Sequence, residues 1–140
     1  MDLSLTKRAA PLVREVQNMI AEQVIPAETE FFSEIEKSEQ RFIYTSKMSE
    51  ILESLKSVAK SKGLWNLWLT NSSKGHGLST VEYAYLAEEM GKSRLAAEVF
   101  NCSAPDTGNM EVFQRYGTAA HKRKWLNPLL EGEIRSAYCM

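Results

Sequence analysis

The stretch "HKRKWLNPLLEGEIRSAYCM", residues 121–140, changes character part-way along. As far as Glu131 it reads as helix, capped by Thr118, disturbed by Pro128 and stopped at Gly132. Then "IRSAYCM" brings β-compatible Ile134 and Tyr138 into an apolar terminus, where a polar fray is the usual end of a chain. A lone strand cannot satisfy its own backbone groups, so this one needs a sheet that the preceding residues do not offer.

Working backwards, every other segment reads as helix. "SRLAAEVFNCSAPDTGNMEVFQRYG" gives one helix or two, interrupted near Pro105 and Gly108 and closed by Gly117. Ser79 and Glu82 in "LSTVEYAYLAEEMG" form a capping box, so a helix starts there and Gly91 ends it. Its apolar residues run almost all round (Val81, Tyr83, Ala84, Tyr85, Leu86, Ala87, Met90), which predicts a central helix buried on several sides. "SKMSEILESLKSVAKSKG" puts Met48, Ile51, Leu52, Leu55, Val58 and Ala59 on one face, with lysines near the end and Gly63 as the stop. Ahead of it, Leu12, Val13, Val16, Met19, Ile20 and Val24 fit a helix that begins at Pro11 and is not expected to pass Pro26. Phe31, Phe32 and Ile35 form a short apolar stripe among glutamates, and that acidic run is expected to be the solvated face of another helix. Trp65 and Trp68 lie in a short apolar stretch before the loop "NSSKGHG". The expectation is five to seven helices and one orphan strand, in a single domain.

Composition removes several classes of function. A formal net charge of −1 with 25% charged residues recruits neither nucleic acid nor an anionic membrane. The basic run His121–Lys124 is expected to be the solvated face of its helix, opposite Trp125 and Leu126. Two cysteines, Cys102 and Cys139, are too few and too far apart for a disulfide scaffold or a zinc site, and they point to a reducing compartment. His76 and His121 have no partner at metal-ligand spacing, so no metal site is expected. The sequence offers no transmembrane run and no signal-peptide core. "GKS" at residues 91–93 lacks the upstream glycine and strand of a phosphate loop. No nucleophile–base pair is legible, and no catalytic residue is assigned.

"APDTGNME", residues 104–111, stands out inside the helical region. A proline, an Asx-turn candidate and a glycine imply an irregular helix start with free backbone N–H groups. Such a feature is either a corner or a surface of small side chains that something approaches closely.

Taken in order, "GLWNLWL", "YAYLAEEMGKS", "APDTGNMEVFQRYG" and "HKRKWLNPLLEGEIRSAYCM" resemble the N-terminal helical domain of the flavin-dependent acyl-CoA dehydrogenases, over nearly the whole chain. "WNLWL" and "APDTGNME" are closest to the subgroup of family members ten and eleven, whereas "TNSSKGHGLS" departs from the pattern of many relatives. The resemblance implies an all-α, up-and-down helical bundle over residues 1–132. Residues 133–140 would be the first strand of a middle β-domain, continued in relatives by Thr-Glu-Pro. It implies FAD as cofactor, an acyl-CoA thioester as substrate, and electron-transferring flavoprotein as acceptor. The reaction is α,β-dehydrogenation of the fatty-acid β-oxidation type. By the same resemblance Tyr138, Cys139 and Met140 open the flavin site, and Phe100, Ser103, Ala104 and Thr107 match the helix lining the acyl-chain tunnel. The base belongs to a C-terminal domain in relatives, so these residues by themselves are expected to be inactive. Relatives are homo-oligomers of mitochondria, peroxisomes or the bacterial cytoplasm. The alternative is a non-catalytic helical interaction module derived from that domain.

Overall fold

The computed structural model of the chain describes residues 3–38, 40, 42–70 and 74–139. Its helices are α1 (Ala9–Met19), α2 (Ile25–Lys37), α3 (Ser46–Ser61), α4 (Thr80–Met90), α5 (Ala96–Val99), α6 (Asp106–Tyr116), α7 (Ala119–His121) and α8 (Asn127–Glu131). They form an up-and-down bundle in which α1 packs on α4, α2 on α3, and α6 on α8.

One helix runs on where a stop was expected, at Pro26, and another is disturbed at Pro128 as expected. α1 and α2 join through the π-helical turn Ile20–Val24, and α7 and α8 through the π-helical turn Lys122–Leu126. In each case the residue before the proline donates to a carbonyl five residues back, Ile25 N–H to Ile20 and Asn127 N–H to Lys122. The expected stop at Pro26 is therefore corrected. A widened turn relieves the clash between the pyrrolidine ring and the carbonyl of the preceding turn, and the missing N–H falls in a register that is already shifted.

The α5–α6 region breaks differently from expectation as well. The interruption covers residues 100–105, including a cis Ala104–Pro105 peptide, and Gly108 lies inside α6. Thr45 caps α3 through its side-chain oxygen, which accepts from Met48 N–H.

Two apolar clusters hold the bundle. The larger draws on α1 to α5 and the connections between them, with Val16, Met19, Leu52, Leu86, Val99 and Phe100 at its centre. The smaller joins Leu69, Met110, Leu126, Leu129 and Leu130, with Ile134 against it, and Trp68 packs on both. α4 is not buried on several sides: Leu86 and Met90 face the core, while Ala84, Ala87 and Glu88 are exposed. Trp125 also lies outside, with Lys124 Nζ 4.7 Å above its ring, so the basic run does not sit opposite a buried tryptophan.

No strand occurs among the described residues, and segment 133–139 has no ladder partner there. The expected orphan strand is thus not present among them, for the reason that made it an orphan. Met140 lies outside the described residues.

The capping box at α4 forms in full and is extended from α1. Glu82 accepts from Ser79 N–H at 2.9 Å, from Thr6 Oγ1 at 2.6 Å and from Arg8 Nη2 at 2.6 Å. The Arg8 guanidinium above all, then Thr6 and the Ser79 N–H, holds the Glu82 carboxyl far below its ordinary value. A carboxyl depressed by folding contributes stability that is complete above its unfolded value and is lost as pH falls. Glu82→Gln is therefore expected to lower the thermal midpoint at pH 7 and to flatten its decline below about pH 4.5. Thermal melts of both chains across pH 2–7 check this, and parallel acid limbs would refute it.

Candidate functional site

α6 stands between two clefts. On one side a cleft of about 590 Å³ is bounded by Thr107, Gly108 and Gln114 of α6 and by Trp68, Leu69 and Tyr83 opposite. On the other, one of about 380 Å³ lies between Val112, Phe113, Trp125 and Leu129 and the segment carrying Ile134 and Ser136. On its α6 side the first cleft carries the polar Glu111, Gln114 and Arg115 besides the small Thr107 and Gly108, and Trp68 and Tyr83 lie opposite. Among the described residues, the buried Trp68 Nε1 and Gln114 Oε1 at its edge have no hydrogen-bond partner.

Tyr83 also borders the larger core, where it meets the Cys102 thiol. Burial pushes that thiol up to about 11, and burial followed by the neighbouring Cys102 raises the Tyr83 phenol. A buried thiol raised in this way lacks the electropositive, accessible surroundings of a thiolate nucleophile.

The sequence-predicted substrate residues do not form one wall. Phe100 is 0% exposed in the larger core. Ser103 is half-buried and accepts from Arg135 Nη2 at 2.9 Å, and Ala104 is exposed before the cis peptide. Of the four, Thr107 is the residue placed in the first cleft. Tyr138 is 71% exposed and Cys139 is exposed. His121 packs edge-on against Phe113, and the described residues contain no group of side chains able to hold a metal ion.

Two polar clusters organise this end of the bundle. In the first, Asn66 and Asn101, both at positive φ (55° and 54°), cap the end of α8. The Leu130 carbonyl accepts from Trp65 Nε1 at 2.7 Å and from Asn66 Nδ2 at 3.0 Å. Asn101 Nδ2 donates to Asn66 Oδ1 at 2.7 Å and to the Leu129 carbonyl at 3.0 Å. Carbonyls that a helix end leaves open are thereby satisfied inside the protein. Gly132 follows at φ +73°, where a Cβ would come within 2.8 Å of the Trp65 ring.

The second cluster surrounds Arg135. It meets Glu98 Oε1 at 2.6 Å, the Asp106 carboxylate and Ser103, while Lys56 Nζ lies 3.5 Å from Glu98. Sequence reading missed Lys56, Glu98, Asp106, Arg135 and Ser136. The one available signal was the Asp at the start of "DTGNME", which marked an irregular helix start without naming its partner.

Comparison with known proteins identifies the family and the fold. Residues 6–133 match the family described as "Acyl-CoA dehydrogenase, N-terminal domain". The chain is 44% identical to acyl-CoA dehydrogenase family member 11 of Gallus gallus over 138 residues, which is 96% of this chain and 17% of that protein. It is 58% identical over 97 residues to family member 10 of Mus musculus, covering 66% of this chain and 9% of that protein. A solved Mycobacterium abscessus structure, described as an acyl-CoA dehydrogenase, superposes with a TM-score of 0.85 at 45% identity, over 98% of this chain and 35% of its own. The chain therefore spans about 17% of the length of its family member 11 relatives.

Proposed function

Because the chain belongs to the acyl-CoA dehydrogenase family and matches its N-terminal helical domain, we propose that it supplies the helical wall of an FAD-dependent acyl-CoA dehydrogenase. The observation that carries the reading is the cleft beside α6, where Thr107 and Gly108 face Trp68 and Tyr83 across about 590 Å³. Thr107 and Gly108 opposite Trp68, Leu69 and Tyr83 leave room for a slim chain beside the polar Glu111, Gln114 and Arg115, and the volume lies within the range of small-molecule sites. In this reading Thr107 touches the acyl group. Ser103 and Ala104 lie at the turn before α6, and Phe100 supports that turn from the core.

The flavin accepts the hydride when bound, and this chain contributes shape and orientation. Tyr138 and Cys139 are exposed, and neither lines the clefts beside α6. The described residues thus present a flavin with one edge and no cradle, and no step is assigned through it. The catalytic base, the bulk of the flavin contacts and the docking of electron-transferring flavoprotein fall to other parts of a dehydrogenase. Assembly into a homo-oligomer and an intracellular location, mitochondrial, peroxisomal or bacterial-cytoplasmic, complete the reading.

The test is expression of the complete open reading frame containing these residues. It should purify with a stoichiometric flavin spectrum that an acyl-CoA bleaches. Thr107→Trp should lower kcat/KM by about a hundredfold through filling the cleft, without loss of flavin. The 140 residues alone should neither hold flavin nor bleach it. A complete frame that binds no flavin would favour a non-catalytic helical module instead.

A further inference from the structure

We propose that Asp106 is a positioning residue: with Arg135 and Ser136 it clamps segment 134–137 across the start of α6 and so fixes where Tyr138 and Cys139 stand. What the placed residues serve rests on the dehydrogenase reading, but the clamp itself does not.

Asp106 is only 1% exposed, yet it carries a carboxylate. Its oxygens are taken up by the segment it holds. Oδ1 accepts from Ser136 N–H at 2.7 Å and Ser136 Oγ at 2.6 Å, and Oδ2 accepts from Arg135 Nε. A buried charge is costly unless paired and hydrogen-bonded, so the site of Asp106 is satisfied when the segment lies across it. Its place as the first residue of α6 adds the favourable end of the helix dipole. Asn109, one turn on, donates to Ser136 Oγ at 2.8 Å, so two residues of the same helix face hold one serine.

Arg135 gives the clamp its direction. Nε, Nη1 and Nη2 each have a different partner, in Asp106 of α6, Glu98 of α5 and Ser103 of the turn between them. A planar fork with all its branches engaged fixes orientation in a way that apolar contact cannot. Glu98 is tied in turn to Lys56 of α3, itself only 8% exposed. Positive and negative groups alternate from α3 through α5 to the segment. Ile134 packs on the smaller core, which supplies burial without direction. From Ser136, residue 138 lies within about 7 Å and residue 139 within about 10 Å along an extended chain, so a fixed Ser136 confines both.

A nitroxide label on Cys139 tests the clamp. That thiol is exposed, whereas Cys102 is buried, so native labelling selects the first. In the unsubstituted chain the label should report a segment moving with the bundle. Asp106→Asn turns an N–H donor toward Arg135 Nε in place of the Oδ2 acceptor. It should raise the label's mobility by about tenfold, toward that of a free chain end, at temperatures where helical circular dichroism is unchanged. Arg135→Gln should do the same from the segment's side without altering a buried residue, and it decides the matter if Asp106→Asn does not fold. A label as immobile in Arg135→Gln as in the unsubstituted chain would overturn the proposal. So would a label already moving freely in the unsubstituted chain. Because this readout contains no flavin, it fails or succeeds separately from the dehydrogenase reading.

Discussion

Phe100→Ala is expected to destabilise the chain by about 3–5 kcal/mol, the usual cost of removing a phenyl ring from a packed core. Phe100 is fully buried at the C-terminal end of α5, in the cluster that also holds Leu52, Leu64, Leu67 and Val99. Its backbone carbonyl accepts from Asn66 N–H at 3.1 Å, so the ring also steadies the turn that aims Asn66 at α8. The loss should appear as a lower urea midpoint with an unchanged slope, and as a thermal midpoint about 10–15 °C lower. Thr107→Ala, in the cleft, should cost less than about 1 kcal/mol. Equal effects of the two substitutions would mean that Phe100 is not a core residue in solution.

Asn101→Ala should cost about 2–4 kcal/mol, and for two separable reasons. The substitution leaves Asn66 Oδ1 without its donor, at about 1–3 kcal/mol for a buried group, while the Leu129 carbonyl loses one donor and keeps Gly132 N–H at 3.0 Å. It also places alanine at φ 54°, a conformation that costs a residue with a Cβ about 1 kcal/mol or more. Asn101→Gly relieves the second term and keeps the first. Chemical denaturation should therefore rank Asn101→Ala below Asn101→Gly by about 1 kcal/mol, and both well below the unsubstituted chain. A glycine variant with unsubstituted stability would show that the hydrogen bonds contribute nothing.

The two substitutions also show how far reading by pattern reaches. The capping box at Ser79, the α3 face from Met48 to Ala59 and the stops at Gly63 and Gly132 were legible, because each depends on residues within a few positions of one another. Pro26 was misread because the rule for proline assumes an α-helical register, and the structure shifts that register by one residue just upstream. α4 was misread because apolar composition states what could be buried, not what lies against it; Ala84 and Ala87 have no such cover among the described residues.

The candidate site was legible in one place. That place is the irregular start of α6 after the cis Ala104–Pro105 peptide. Asp106 and Arg135 are 29 residues apart, Asn66 and Asn101 are 35 apart, and no periodicity links either pair.

By itself the sequence determined that this chain is helical, where most of its helices begin and end, which faces are apolar, and which family it resembles. The helical properties follow from short-range sterics, capping and the 3.6-residue period, and the family resemblance rests on the order of the motifs themselves. Tertiary structure decided which polar residues work together, which aromatic residues are core and which are open, and how segment 134–137 is held. Hydrogen bonds and ion pairs at that range need a geometry that exists only after the helices have packed.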